Sequence, residues 1–143
     1  MLIIMLRTVF ILFLSLNLIF SGEKVLASDA ASGDTFGRAV SNYGDWFAVG
    51  ANRDDDNGEN SGSVYLYKVD DYGNYQEYKL MPADGDYNDY FGKSLSIYGD
   101  WLAVSSIYDN ENGQKSGSVY LFYFDGSNWN EFEKIYPTDG EAF

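Results

Sequence analysis

The chain has 143 residues, the size of one ordinary domain, and 45% of them are hydrophobic. Its formal net charge is −13 and its 9 basic residues are scattered, so we expect no nucleic-acid partner and no binding to anionic lipid surfaces. Cysteine and histidine are both absent, which excludes disulfides, Cys–His and Ser–His–acid catalysis, and the usual His or Cys zinc site.

The first element along the chain is an apolar segment that predicts a secretory signal peptide. Residues 9–20 form an almost unbroken apolar run after Arg7, whereas a helix that spans a bilayer needs about 20 such residues. Small residues allow cleavage after Ala27, which we favour, or after Ala30. Residues 1–27 are therefore predicted to be a signal peptide, with an uncleaved amino-terminal anchor as the alternative. After cleavage we expect a secreted, extracellular protein without a membrane span.

The rest of the chain repeats itself at one fixed offset, which aligns Asp34 with Asp89. The aligned segments are 34–37 with 89–92, 43–49 with 98–104, and 61–66 with 116–121. Pro82-x-Asp84-Gly85 recurs as Pro137-x-Asp139-Gly140, which opens a further copy. The predicted organisation is a first repeat over 28–81, a second repeat over 82–136, and the start of a truncated third repeat at 137–143.

Each copy predicts four short strands, because β-branched and aromatic runs alternate with Gly, Asp and Asn turn signals. The predicted strands are 38–42, 46–50, 63–68 and 75–80 in the first copy, and 93–98, 101–105, 118–124 and 129–135 in the second. In the fourth strand Gln76, Glu77 and Lys79 indicate a polar outer edge. We therefore predict an all-β fold of two four-stranded antiparallel propeller-type blades plus the start of a third, preceded by a signal-peptide helix.

Three short motifs resemble the FG-GAP repeat, which builds the propellers of integrin α-subunits and many exported microbial proteins. They are Phe36-Gly37, Gly50-Ala51 and the run from Gly62 to Tyr67. The second copy departs from the pattern at Ser105-Ser106, which argues against a tight backbone approach at that blade. The resemblance covers about residues 30–143 and implies β-propeller blades with a binding or adhesion role.

The resemblance also bears on calcium. Many relatives carry an aspartate-rich calcium cage between the first and second strands, whereas this chain has only the short turns 42–45 and 98–100 there. The chain is therefore more similar to a short-loop branch of the family that lacks the cage.

Two acidic loops, residues 54–60 and 109–115, are the candidate metal sites. Oxygen-bearing side chains on alternate residues beside a glycine suit calcium, which takes about six to eight oxygen ligands. The candidate ligands are Asp54, Asp56, Asp109 and Glu111. The pattern is partial, because Tyr65 stands where a hand-type loop carries its closing acid and Lys115 stands beside the second loop. A solvated turn is the alternative, and we expect no bound metal and no other cofactor.

Aromatic residues are the candidate partner-binding groups, since a phenol or indole ring presents a large apolar area with a polar handle. The candidates are Tyr87, Tyr90, Tyr108 and Trp129. Tyr87 and Tyr90 replace Ser32 and Thr35 of the first copy, which leaves them free to serve a partner. Eight aromatic residues at repeated positions are predicted to pack between the blades instead: Phe36, Trp46, Tyr65, Tyr67, Phe91, Trp101, Tyr120 and Phe122.

These features favour a non-catalytic protein. Paired carboxylates can hydrolyse a glycoside, but the sequence offers many equivalent acids and none in an apolar run that would raise its pKa. The main hypothesis is a secreted or cell-surface binding or adhesion module for a protein or glycan ligand. The alternatives are a truncated fragment of a larger propeller protein with no autonomous function and a calcium-binding surface protein. Because closed propellers have about four to eight blades, two blades could also associate with copies of themselves.

Overall fold

The computed structural model describes residues 24–138. The predicted signal-peptide helix and most of the predicted third repeat lie outside these residues. All regular secondary structure in the described range is β, and no helix there has the length and apolar character of a membrane span. The strands are β1 (Ala39–Tyr43), β2 (Trp46–Ala51), β3 (Ser63–Val69), β4 (Tyr75–Leu80), β5 (Phe91–Tyr98), β6 (Trp101–Ser106), β7 (Ser118–Phe124) and β8 (Trp129–Ile135).

The strands form two separate four-stranded sheets. Strands β1 to β4 make the first sheet, here named blade 1, and strands β5 to β8 make the second, blade 2. Neighbouring strands are antiparallel throughout, so each blade is a simple meander. This arrangement confirms the predicted fold of two four-stranded antiparallel blades. Strand β5 begins at Phe91, earlier than predicted, because Phe91 pairs with Ser106 across an irregularity in the ladder.

The central strand of blade 1 is covered on both faces. In β3 the side chains of Val64 and Leu66 point to one face and those of Tyr65 and Tyr67 to the other, and all four are buried. A tight hairpin leads into the preceding strand, where Gly44 adopts a φ of 55°, a conformation that glycine reaches without steric cost.

The main hydrophobic core lies between the two blades. The ring of Trp46 lies 4.9 Å from that of Phe124 and 5.2 Å from that of Trp129, measured between centroids. Blade 1 contributes Trp46, Ala48, Val64, Leu66 and Leu80, and blade 2 contributes Phe91, Ile97, Leu102, Val104, Tyr120, Phe122, Phe124 and Trp129. Each fully buried Leu or Phe stabilises the folded chain by roughly 1.5–3 kcal/mol, so the two blades stabilise each other.

Most of the predicted core aromatics are buried. They are Trp46, Tyr65, Tyr67, Phe91, Tyr120 and Phe122. Phe36 is only half-buried. Trp101 is 41% exposed, because it lies on the face of blade 2 that points away from blade 1. The prediction that Trp101 fills the core is therefore wrong.

Trp129 shows the opposite error. The sequence predicts it on a partner-binding surface, but it is only 7% exposed. It pairs with Phe124 at the start of the outer strand and faces blade 1, where it contacts Trp46. Its prediction as an exposed partner-binding ring is wrong.

The far face of blade 2 is apolar and exposed. Trp101, Val119 and Ile135 lie on it, and the ring of Phe132 contacts that of Trp101 at 5.0 Å. Their counterparts in the first copy of the repeat include Trp46, Val64 and Leu80, which are buried against blade 2. The repeat thus gives both blades a similar apolar face, and within residues 24–138 only that of blade 1 is covered by another blade.

The backbones of the two blades touch at two glycines. A Cβ atom on Gly50 would lie 2.1 Å from the carbonyl oxygen of Gly92, and one on Gly62 would lie 2.1 Å from that of Phe91. Three backbone hydrogen bonds cross beside this contact: Asn88 to Glu59 (2.9 Å), Tyr90 to Asn60 (3.1 Å) and Phe91 to Ser61 (2.9 Å). Side chains larger than hydrogen are therefore excluded at both glycines.

Substitution Gly50→Ala is expected to lower the free energy of unfolding by about 1–3 kcal/mol, because the added methyl group meets backbone that cannot rotate away. The matched control is Ser105→Ala, its counterpart in blade 2, which loses only hydrogen bonds to Ser94 and should cost about 1 kcal/mol or less. Urea unfolding measures both variants. Equal loss in the two would contradict the inter-blade contact.

Candidate functional site

A buried ion cluster joins the loop of blade 1 to its outer strand. The ammonium group of Lys79 lies 2.7 Å from Asp29, 3.0 Å from Asp54 and 2.5 Å from Asp56. The hydroxyl of Tyr65 lies 2.8 Å from Asp54 and 2.7 Å from Asp29, and its single proton is shared between these two carboxylates. Asp54 is buried and the Lys79 side chain is 17% exposed, whereas the side chains of Asp29 and Asp56 are 40% and 57% exposed, so the buried Lys79–Asp54 pair is flanked by two acids at the surface.

Blade 2 repeats the same cluster at equivalent positions. The ammonium group of Lys134 lies 2.6 Å from Asp84, 2.8 Å from Asp109 and 3.1 Å from Glu111. The hydroxyl of Tyr120 lies 2.8 Å from both Asp84 and Asp109, and its single proton is shared between these two carboxylates. Each member follows its counterpart in blade 1 at the offset of the repeat. The cluster is therefore part of the repeat rather than a feature of one loop.

The electrostatics of the clusters keep the acids ionised. Burial by itself would raise the pKa of Asp54, but the Asp56 amide, the Tyr65 hydroxyl and Lys79 together lower that pKa below its ordinary value. The pKa of Asp109 is lowered in the same way, against the effect of burial, with Lys134 contributing most. Burial and the neighbouring carboxylates raise the pKa of Tyr65 well above its ordinary value, so the phenol stays a donor.

The candidate calcium ligands occupy these clusters. Asp54 and Asp56 bind the ammonium group of Lys79, while Asp109 and Glu111 bind that of Lys134. An ammonium group of the chain itself therefore lies between the oxygens that calcium would need. Among residues 24–138 no group of acids is arranged to hold a metal ion.

Sequence reasoning missed the two lysines. Lys79 lies in β4, the outer strand of blade 1, as predicted, but its side chain turns back over the Tyr65 ring at 5.2 Å to reach the acidic loop. A signal was available in the sequence. Asp, Tyr and Lys recur together at the repeat offset, with the residues Asp29 and Asp84, Tyr65 and Tyr120, and Lys79 and Lys134.

A second site lies on the rim of blade 2, where tyrosines surround an open cavity of about 290 Å³ that we name the tyrosine pocket. The rings of Tyr90 and Tyr108 meet edge to face, 5.4 Å apart. The Nζ atom of Lys115 lies 5.0 Å from the centre of the Tyr108 ring. The pocket is lined by Tyr87, Asn88, Tyr90, Tyr108, Asn110, Gln114 and Lys115.

The pocket is built by two segments that the inter-blade contact positions. The segment that enters blade 2 carries Tyr87, Asn88 and Tyr90, and backbone hydrogen bonds from Asn88 and Tyr90 attach it to blade 1. The loop between β6 and β7 supplies Tyr108, Asn110, Gln114 and Lys115. The structure thus brings together three of the four predicted partner-binding residues and leaves Trp129 in the core. The sequence did not identify the polar lining.

One acid near the pocket, Asp89, differs from Asp54 and Asp109 in the direction of its pKa shift. Asp89 is only 3% exposed, and its Oδ1 atom has no hydrogen-bond partner among the described residues. Burial raises the pKa of Asp89, and the charge of Asp109 adds to the effect. The sequence predicts no acid in an apolar run that would raise its pKa, and the raised pKa of Asp89 comes from burial in the fold rather than from such a run. Its burial separates it from any substrate, whereas glycoside hydrolysis needs two acids that face the substrate.

Removal of a cluster lysine is expected to destabilise the fold. Substitution Lys79→Met leaves the buried Asp54 charge without a partner and should cost about 3 kcal/mol of unfolding free energy. The double variant Lys79→Met with Asp54→Asn should recover part of that loss, because it also removes the charge. Lys93→Met is the control, since Lys93 forms no ion pair in the described range. Urea unfolding tests the series, and a loss equal to that of the control would refute the role of the cluster.

The clusters also predict the pH dependence of stability. Asp29, Asp54, Asp84 and Asp109 have pKa values below the ordinary 3.8, so their contribution is present above that value and is lost as pH falls through the lower folded values. Asp89 acts in the opposite direction, because its folded pKa is raised. Asp70 and Asp125 also have lowered pKa values, so six lowered groups against one raised group predict that unfolding free energy falls between about pH 5 and pH 3. Denaturant unfolding across this range tests the sign, and a rise in stability on acidification would contradict it.

Comparison with known proteins places these features in a family. Residues 21–67 and 75–122 match the sequence model of the FG-GAP repeat. The two matches cover most of the chain: the first includes β1, β2 and most of β3, and the second includes β4, β5, β6 and most of β7. A search of the curated proteins finds no significant match. The repeat matches confirm the resemblance seen in the motifs, and the chain belongs to the FG-GAP repeat family, with two sheets of the β-propeller type.

Proposed function

We propose that this protein is a secreted or cell-surface binding module that attaches to a protein or glycan ligand and catalyses no reaction. The observation that carries the proposal is the tyrosine pocket, in which phenol rings and carboxamides surround an open cavity. Tyrosine offers apolar area and a hydroxyl group with few rotatable bonds, and this composition is typical of recognition surfaces.

The amino-terminal sequence supports the proposed export. Cleavage of the predicted signal peptide after Ala30 would remove Asp29, which is one of the three acids around Lys79. Cleavage after Ala27 would keep Asp29 and leave the cluster of blade 1 complete. In blade 2 the equivalent acid is Asp84, which binds Lys134. The repeat therefore favours Ala27 as the last residue of the signal peptide.

The state of the acids supports a non-catalytic role. Asp54 and Asp109 are buried, carry lowered pKa values and bind lysine ammonium groups, so neither is suited to donate a proton at neutral pH. Asp89 has the raised pKa of a general acid but is enclosed by protein. The polar lining of the pocket contains no carboxylate, so a pair of catalytic acids is missing from the open cavity.

An array that carries both glycans and peptides tests the proposal with the full chain. We expect selective binding, and Tyr108→Ala should weaken it at least tenfold, which corresponds to a loss of about 1.4 kcal/mol, because the pocket loses an aromatic wall. Tyr72→Ala is the matched control, since Tyr72 is 82% exposed and lies outside the pocket. Absence of binding to either class, equal effects of the two variants, or release of sugar fragments would each overturn the proposal.

A further inference from the structure

The two blades share one scaffold but differ along the lining of the pocket. The members of the ion clusters recur at the offset of the repeat. Pocket positions instead change from Ser32 to Tyr87, Gly33 to Asn88, Thr35 to Tyr90, Arg53 to Tyr108, Asp55 to Asn110, Glu59 to Gln114 and Asn60 to Lys115. Three tyrosines are gained, and both acids become the corresponding amides. If this turn served solubility alone, we would expect it to keep its acids and not to gain tyrosines.

Backbone conformation supports a role for these changes beyond folding. Lys115 adopts a φ of 58°, and its counterpart Asn60 adopts 54°. Asparagine tolerates this left-handed region better than lysine does. Blade 2 thus places a lysine at a position where asparagine would fold more easily. Strain at a surface position is typical of binding sites.

The chemistry of the lining fits a sugar ring. Carboxamides donate and accept hydrogen bonds, as hydroxyl groups do, and Asn88, Asn110 and Gln114 line the cavity. The Oδ1 atoms of Asn88 and Asn110 already accept hydrogen bonds from Asn60 and Lys115, which leaves their NH₂ groups as donors to a ligand. Tyrosine rings offer an apolar surface to the C–H face of a pyranose. The cavity of about 290 Å³ lies at the small end of ligand pockets, which range over roughly 300–1,000 Å³. That size suits one sugar unit better than a peptide segment.

From these observations we infer that the tyrosine pocket binds one uncharged pyranose unit of a glycan. The inference rests on the proposed binding function and names its ligand class. Asn110, Gln114 and Lys115 bind the hydroxyl groups, while the tyrosines contact the ring. A carboxylate-bearing sugar is disfavoured by the acidic surroundings, since the chain carries a net charge of −13.

Titration calorimetry of the full chain with the methyl glycosides of glucose, galactose, mannose and N-acetylglucosamine tests this inference, with glucuronic acid as the charged comparison. At least one neutral glycoside should bind, and glucuronic acid should bind at least tenfold more weakly than that glycoside. Gln114→Glu restores the blade 1 residue and should weaken binding about tenfold or more, since a carboxylate cannot donate the hydrogen bond. Glu59→Gln, the reverse change in blade 1, should leave affinity unchanged.

The outcomes separate this inference from the proposed function. Binding of peptides alone, weakened by Tyr108→Ala, would overturn the sugar assignment and leave the binding module intact. Sugar binding that Gln114→Glu and Tyr108→Ala do not alter would place the site elsewhere and overturn the inference. Equal or tighter binding of glucuronic acid would overturn the preference for an uncharged ring. Absence of any ligand in both classes would overturn the inference and the proposed function together.

Discussion

The close approach of the two blade backbones is the constraint on which the rest of the structure depends. At Gly50 and Gly62 the chain of blade 1 lies so near residues 91–92 that no side-chain carbon fits between them. This distance lets the carbonyl groups of 59–61 accept backbone hydrogen bonds from the entry of blade 2 and lets the apolar faces meet. It also fixes Tyr90, so the same contact that builds the core forms one wall of the pocket.

The loop between the second and third strands serves two purposes because its residues alternate. In blade 2 the side chains of Asp109 and Glu111 bind Lys134, while Asn110 between them lines the pocket. The buried ion pairs impose a fixed geometry on the loop. Apolar residues in their place could give the same stability but would not hold the loop in this geometry. The intervening residue also has a structural role, because its Oδ1 atom accepts a hydrogen bond from the amide of Asn60 in blade 1 and of Lys115 in blade 2, and either Asp or Asn can accept this bond. The differences between Asp55 and Asn110 follow from this division.

Periodicity made the fold predictable, and its limits explain the errors. Strands and blades recur at one fixed offset, so the sequence predicts every strand of both blades and three of the pocket residues. Equivalent positions are not equivalent environments, however: Trp46 and Trp101 share a place in the repeat, but within residues 24–138 only Trp46 has a blade on its side. Trp129 pairs with Phe124 as Tyr75 pairs with the equivalent Val69, but Tyr75 is exposed and Trp129 is buried, so the repeat did not reveal the burial of Trp129. The partners of Lys79 lie in a distant loop, which strand alternation does not reveal.

The ion clusters and the tyrosine pocket differ in charge. Each ion cluster contains three carboxylates and one ammonium group, so it keeps an excess of negative charge that adds to the acidic surface. The pocket lining contains Lys115 and no carboxylate. An acidic surface repels anionic partners over roughly a Debye length, about 8–10 Å at moderate salt. An uncharged ligand is not repelled by this field. Because the pocket lining lacks carboxylates, the carboxamide and phenol groups determine which ligand binds.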